Sequence, residues 1–236
     1  MTGGQRSLTS PVWKRLGIGR SSLWDNSEPV RTELFSIERL EEHARSLSQI
    51  QEVRTTRGRA MASRLAENEQ VLRRVFRATI SAVGAGTAIT PAAEWLIDNY
   101  HLVERQIQEV RADLPPGYYR QLPKLVAGPF AGYPRVFELA WAYVAHTDSR
   151  FDAEMLRRFV RAYQDTQVLT IGELWAAAIT LRIVLIENLR RIAVRIEESQ
   201  AAREAADALA DRILTKSQDD ETQQPDFSPK ERAASR

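Results

Sequence analysis

Apolar residues recur at helical spacing along most of the chain. From Ser36 onward, Ile37, Leu40, His43 or Ala44, Leu47, Ile50 and Val53 follow at steps of three and four, which places them on one helix face. Ser36 carries the side-chain oxygen of an N-cap, able to accept from a free N–H of the first turn. Gly58 interrupts, and a second segment over 60–83 aligns Leu65, Leu72, Val75, Phe76 and Ile80. These two helices are predicted to pair as a hairpin. Gly84 and Gly86 end the segment. Thr90-Pro91 opens a third helix, because Thr accepts from a free N–H and Pro has none to leave unpaired. Leu96, Tyr100, Val103, Ile107, Val110 and Leu114 form its stripe, and Pro115-Pro116-Gly117 stops it.

Residues 115–134, with Gly128-Pro129 and Gly132-Tyr133-Pro134, form the longest internal loop, with one short helical turn. Helix resumes at Arg135, carries Phe137, Ala140, Trp141 and Val144 inward, and ends near Thr147. Asp152 caps the next helix through Gln164, with Phe151 and Leu156 as a hydrophobic staple. Thr170 and Glu173 then make a capping box at the start of the longest helix, over 171–199 and extending toward 214. Its first part, 174–186, is apolar nearly all round, so it is predicted to be the central helix, with Trp175 as a core anchor. No segment alternates with the period of two that a strand needs. The fold class is therefore all-α: a helical bundle of about six helices. Residues 1–33 read as a flexible leader, 34–84 as the hairpin, 90–216 as the main bundle, and 217–236 as a polar, disordered tail.

Composition narrows the function classes. Across 236 residues, 33 Lys+Arg against 31 Asp+Glu leave a net charge of +2, too near balance to predict a nucleic-acid partner. The absence of cysteine excludes disulfides, thiolate metal sites and a cysteine nucleophile. The N-terminus lacks the continuous apolar stretch of a secretory signal. The most apolar run, 175–186, contains Thr180 and Arg182 and falls short of the roughly 20 residues a membrane-spanning helix needs.

Glu94, Asp98 and His101 succeed one another at steps of four and three, so one helix face presents all three. His146, Asp148 and Arg150 are positioned to join them from another helix. This is either a carboxylate–imidazole metal site or a polar network that fixes helix register. The duplicated Glu-x-x-His of di-iron bundles is missing, so the network is the expectation and no metal or cofactor is assigned. The arginine runs Arg73-Arg74-Arg77 and Arg157-Arg158-Arg161 read as solvated faces beside glutamates rather than a phosphate groove. Tyr118, Tyr119, Phe130, Tyr133 and Trp141 are of the type on which sugar rings stack, though such aromatics more often close a core. No G-x-S-x-G elbow, P-loop or Asp-x-Asp occurs, so no catalytic residue is assigned.

Several runs carry a resemblance: PAAEWLIDNYHLVE at 91–104, DLPPGYYRQLPK at 113–124, GPFAGYPRV at 128–136, AHTDSRFD at 145–152, LTIGELW at 169–175 and IVLIENLRR at 183–191. Together they resemble, in one co-linear order, the N-terminal region of the cyclic β-1,2-glucan synthase family. That resemblance implies a non-catalytic region or fragment at the cytoplasmic face of the inner membrane of a Gram-negative bacterium. Its implied partners are the synthase's membrane and UDP-glucose-dependent glucosyltransferase domains, in the same chain or another. The family's catalytic residues lie in parts with no counterpart here, so binding of UDP-glucose is not expected. After Ser217 the tail departs from the family's pattern. A truncated gene, a split gene and a free-standing helical adaptor or ligand-binding module therefore stay open.

Overall fold

Helix α5, Arg135–His146, is buried along its whole length, all 12 residues of it. It is described in a computed structural model covering residues 27–56, 58–59, 61–113 and 117–222, with side chains to 215. Among these residues the other helices are α1 (Ile37–Ile50), α2 (Met61–Gly84), α3 (Pro91–Ala112), α4 (Tyr118–Gln121), α6 (Ala153–Gln164) and α7 (Ile171–Thr222). The fold is all-α apart from two two-residue strands, β1 (Val53–Arg54) and β2 (Lys124–Leu125), which pair antiparallel. No strand period marks them, because two residues are too few to show one.

Local rules account for the helix ends. Ser36 Oγ accepts from the Arg39 N–H, Thr90 Oγ1 from Ala93 at 3.1 Å, and Asp152 Oδ1 from Met155 at 2.8 Å. Thr170 and Glu173 form the reciprocal box: each backbone N–H donates to the other's side chain, at 2.9 and 3.2 Å respectively. Asp148 and Ser149, at φ of 52° and 62°, take the left-handed conformation that turns the chain out of α5. The Ser149 N–H there reaches back to the Val144 carbonyl. Phe151 stays exposed, so the cap at Asp152 has no staple.

The pairing of helices departs from sequence order. Helices α1 and α2 do not form the expected hairpin. Instead α1 packs against α6 and α5, while α2 packs against α3, where Phe76 stacks on Tyr100 at 3.9 Å. The physical reason lies in 51–59. This link pairs with β2 and passes so close to the 128–134 loop that a Cβ at Gly58 would collide with the Gly132 carbonyl oxygen. The chain is led past α1 instead of folding back on it.

The ends of the domain also differ from expectation. Residues 1–26 of the leader lie outside the described residues, but 27–33 are tied down. Thr32 and Phe35 donate their N–H groups to the carbonyls of Ala145 and His146, capping the free end of α5. The Val30 N–H donates to Asn188 Oδ1, and Arg191 donates to the Glu28 carbonyl. At the other end, α7 continues through Thr222, so 217–222 are helical rather than disordered, and 223–236 lie outside the described residues. Alanine, glutamate and arginine, all strong helix formers, are frequent over the preceding 197–212 and favour continued helix. The chain makes a second unit from residue 197 on, with every described side chain from 201 to 215 exposed.

Helix α7 is not the fully buried one, and Trp175 is not an anchor: it is 74% exposed. Within the first unit the helix turns Glu173, Ala176, Thr180, Ile183, Val184 and Glu187 inward, leaving Ile171 and Trp175 outside. Among the described tryptophans, the buried one is Trp141 on α5. Trp175→Ala is accordingly expected to shift stability by no more than about 0.5 kcal/mol, against about 3 to 5 kcal/mol for Trp141→Ala. Chemical denaturation of the two variants beside wild type checks the contrast.

Candidate functional site

The structure does not bring the six candidate polar residues together. Glu94, Asp98 and His101 share one face of α3, as their spacing requires. That face lies away from the buried stripe of Leu96, Tyr100, Val103 and Ile107, and Glu94, Asp98 and His101 are all exposed. A polar stripe set apart from an apolar one is a solvated face. His146 is buried instead at the end of α5, its Nδ1 at 2.9 Å from Thr32 Oγ1 and 2.8 Å from the Glu33 carbonyl. Its ring stacks on Phe35 and meets His43 edge-on. Asp148 pairs with Arg31, and Arg150 is exposed. Among the described residues no group of three His, Asp or Glu side chains is placed to hold a metal ion.

The other candidate clusters resolve similarly. Tyr119, Phe130, Tyr133 and Trp141 are buried, with Phe130 packed tilted against Trp141 at 5.2 Å and Tyr133 stacked on Phe137, which makes them core rather than a sugar platform. In the arginine runs, Arg73 pairs with Glu69, Arg157 with Glu154 and Arg158 with Glu41.

The polar chemistry that the fold does concentrate lies along α5 and α7. Arg135 forks onto Glu173, with Nε 2.6 Å from Oε1 and Nη2 2.8 Å from Oε2. Its remaining donors reach Gln167 Oε1 and the Val168 carbonyl, so the guanidinium is well satisfied. Glu173 thus serves as capping-box acid and as ion-pair partner. Burial would push its carboxyl up, but the Arg135 fork and the Thr170 N–H hold it below the usual carboxylate range. Nearly two turns of α5 further on, Arg191 of α7 lies over the Trp141 ring at 4.9 Å.

A second fork joins α2 to α7. Arg64 Nε and Nη2 donate to Glu187 at 2.8 and 2.9 Å, and Arg190 and Arg191 add bonds of 3.0 Å to the same carboxylate. Burial opposes the charge on Glu187, yet Arg64 and then Arg190 and Arg191 outweigh it and hold the carboxyl down at about 2. Lys124 is buried as well. Its ammonium donates to the Tyr119 and Leu122 carbonyls at the end of α4, and burial lowers its pKa. The candidate residues read from spacing include none of these groups. The usable signal is a charge recurring at buried helical positions, as Glu173 and Glu187 do along α7.

Part of what remains outward is apolar. Val168, Ile171 and Trp175 are 77%, 74% and 74% exposed, with Leu174 beside them. They lie within eight residues leading into and opening α7, grouped large apolar side chains left in contact with water. A shallow apolar groove runs farther along, where Leu102 and Val103 of α3 face Leu185 and Leu189 of α7. No helix among the described residues is long and apolar enough to cross a membrane.

Compared with models of known protein families, the chain matches none. Over 149 residues, 63% of its length, it is 53% identical to cyclic β-(1,2)-glucan synthase NdvB of Rhizobium meliloti (strain 1021). The chain is similar to part of a cyclic glucan synthase. The matching stretch is 5% of the synthase, so the relative continues far beyond it.

The ion pairs set two outcomes. Removing one member of a buried pair strands the other, at about 3 to 5 kcal/mol. Glu173→Ala should therefore lower Tm by roughly 10 °C, read by circular dichroism. The second outcome concerns acid. A depressed carboxyl contributes stability above its unfolded pKa and loses it as pH falls through the folded one. The Glu187 contribution should therefore hold above pH 4.5 and fade toward about pH 2. Glu187→Gln should flatten that part of the stability–pH curve while weakening the fold at neutral pH, measured by urea denaturation.

Proposed function

We propose that this chain is a non-catalytic helical region of a cyclic β-1,2-glucan synthase system, which docks on and supports the UDP-glucose-dependent transferase at the cytoplasmic face of the inner membrane. The observation that carries this reading is the 53% identity over 149 residues to a synthase of which the match is 5%. A piece so small within so large a protein has most of that protein as its available partner. The exposed group of Val168, Ile171, Leu174 and Trp175 supplies a surface suited to it. Desolvating a large apolar side chain at such a contact contributes on the order of 1.5 to 3 kcal/mol.

The test is complementation. A synthase lacking its matching 149 residues is co-expressed with this chain, and cyclic glucan is quantified. The chain is expected to restore synthesis. A variant carrying Val168→Asp, Ile171→Asp and Trp175→Asp should keep its melting temperature and restore little. Failure of the folded wild-type chain to restore synthesis would overturn the reading. The purified chain alone, given labelled UDP-glucose with Mn²⁺ or Mg²⁺, should form no β-1,2-linked product above a heat-killed control.

A further inference from the structure

In the first turn of α5, Glu138 is fully buried, with no exposed surface. Its Oε2 accepts one hydrogen bond, from Gln51 Nε2 at 2.6 Å, and its Oε1 has no partner among the described residues. No guanidinium or ammonium is bonded to it there. This sets it apart from Glu173 and Glu187, whose buried carboxyls each hold an arginine fork. A carboxylate in an apolar site with a single amide donor is strongly disfavoured, so the resting form is the neutral acid.

Its one partner is a junction. Gln51 is the C-cap of α1, and its N–H donates to the Leu47 carbonyl. Its Oε1 accepts from the Tyr163 hydroxyl of α6, and its backbone carbonyl accepts from Gln167 Nε2 in the link to α7. One amide side chain thus ties the end of α1, the last turn of α6 and the central helix together through Glu138.

The titratable and charged groups around the site are few. From α6 the facing group is Tyr163, whose hydroxyl is pushed up to about 12 by burial and stays neutral. From α7 it is Glu173, already locked to Arg135. On α5 itself Arg135 lies one turn back, its donors taken by Glu173, Gln167 and Val168. From α1 and β1 come neutral Gln51 and exposed Glu52. None of these groups offers a cation to take up a negative charge on Glu138.

We propose that Glu138 is a proton-operated latch: as the neutral acid it lets Gln51 hold the α1–α6 pair on the central helix, and loss of its proton to water opens that junction. Burial pushes the Glu138 carboxyl up to about 8, which opens a window between its unfolded value near 4.5 and about 8 in which the junction weakens. The sign comes from linkage. A raised folded-state pKa means that stability is fullest below the unfolded value near 4.5, and is lost as pH rises toward about 8. Across that window the open junction, in which water solvates the ionised group, gains on the closed one.

Hydrogen exchange of the full-length chain, corrected for the intrinsic pH dependence of exchange, tests this. Protection over 47–54 and over the last turn of α6 should fall about tenfold between pH 6 and 7 and level off above about pH 8, while 176–190 of α7 changes little. Glu138→Gln, a neutral isostere that still accepts from Gln51, should remove the pH dependence and keep the junction closed. Equal pH dependence in both proteins would overturn the latch. Should the variant fail to fold, a ¹³C titration of the Glu138 carboxyl in wild type decides. A midpoint near 8 supports the proposal, and one in the ordinary carboxylate range overturns it.

Discussion

The rotation of α7 about its own axis is the constraint on which the rest depends. Its first part is apolar on nearly every side, so hydrophobic burial alone leaves several rotations nearly equal in energy. Two carboxylates break the tie. Glu173 and Glu187 are 14 positions apart, close to four helical turns, and so share a face. Each must find its guanidinium or carry an uncompensated buried charge. Arg135 on α5 and Arg64 on α2 are those partners. Once both forks close, Ala176, Thr180 and Ile183 face the core, and Ile171 and Trp175 are left outside.

The same logic runs through α5. A helix buried along its whole length has no solvated face for charge, so its polar side chains are answered from other elements. Arg135 is met from α7, Glu138 from the end of α1, and His146 by the segment before α1. These bonds link parts of the chain far apart in sequence and specify one arrangement among many that would pack equally well. Glu138 is the weakest such match, an acid answered by one amide.

Function is drawn from what this arrangement leaves exposed. The acidic and histidine groups of α3 are solvated, and the buried aromatics of the 119–141 region close the core. The exposed apolar start of α7 therefore stands out as an outward feature of the domain, and the proposed docking rests on it. It complements the similarity to a small part of a far larger synthase.

By itself the sequence determined whatever depends on neighbours within a few positions. The caps at Ser36, Thr90, Asp152 and Thr170, the break at Gly58 and the inward stripe of α3 are set by hydrogen bonds and side-chain spacing inside one or two turns, and all were legible. The co-linear runs between 91 and 191 likewise pointed to the glucan synthase independently of any geometry. Tertiary structure alone decided which helix pairs with which, how α7 is rotated and that Trp175 lies outside the core, whereas Trp141 was already placed inward by its spacing. Helix pairing was hidden because the link over 51–59 turns on a backbone approach between Gly58 and Gly132, 74 positions apart. Trp175 misled because an all-apolar helix has no amphipathic phase to read. Its phase came from ion pairs 38 and 123 positions apart, a separation at which spacing along the chain carries no information about distance in space.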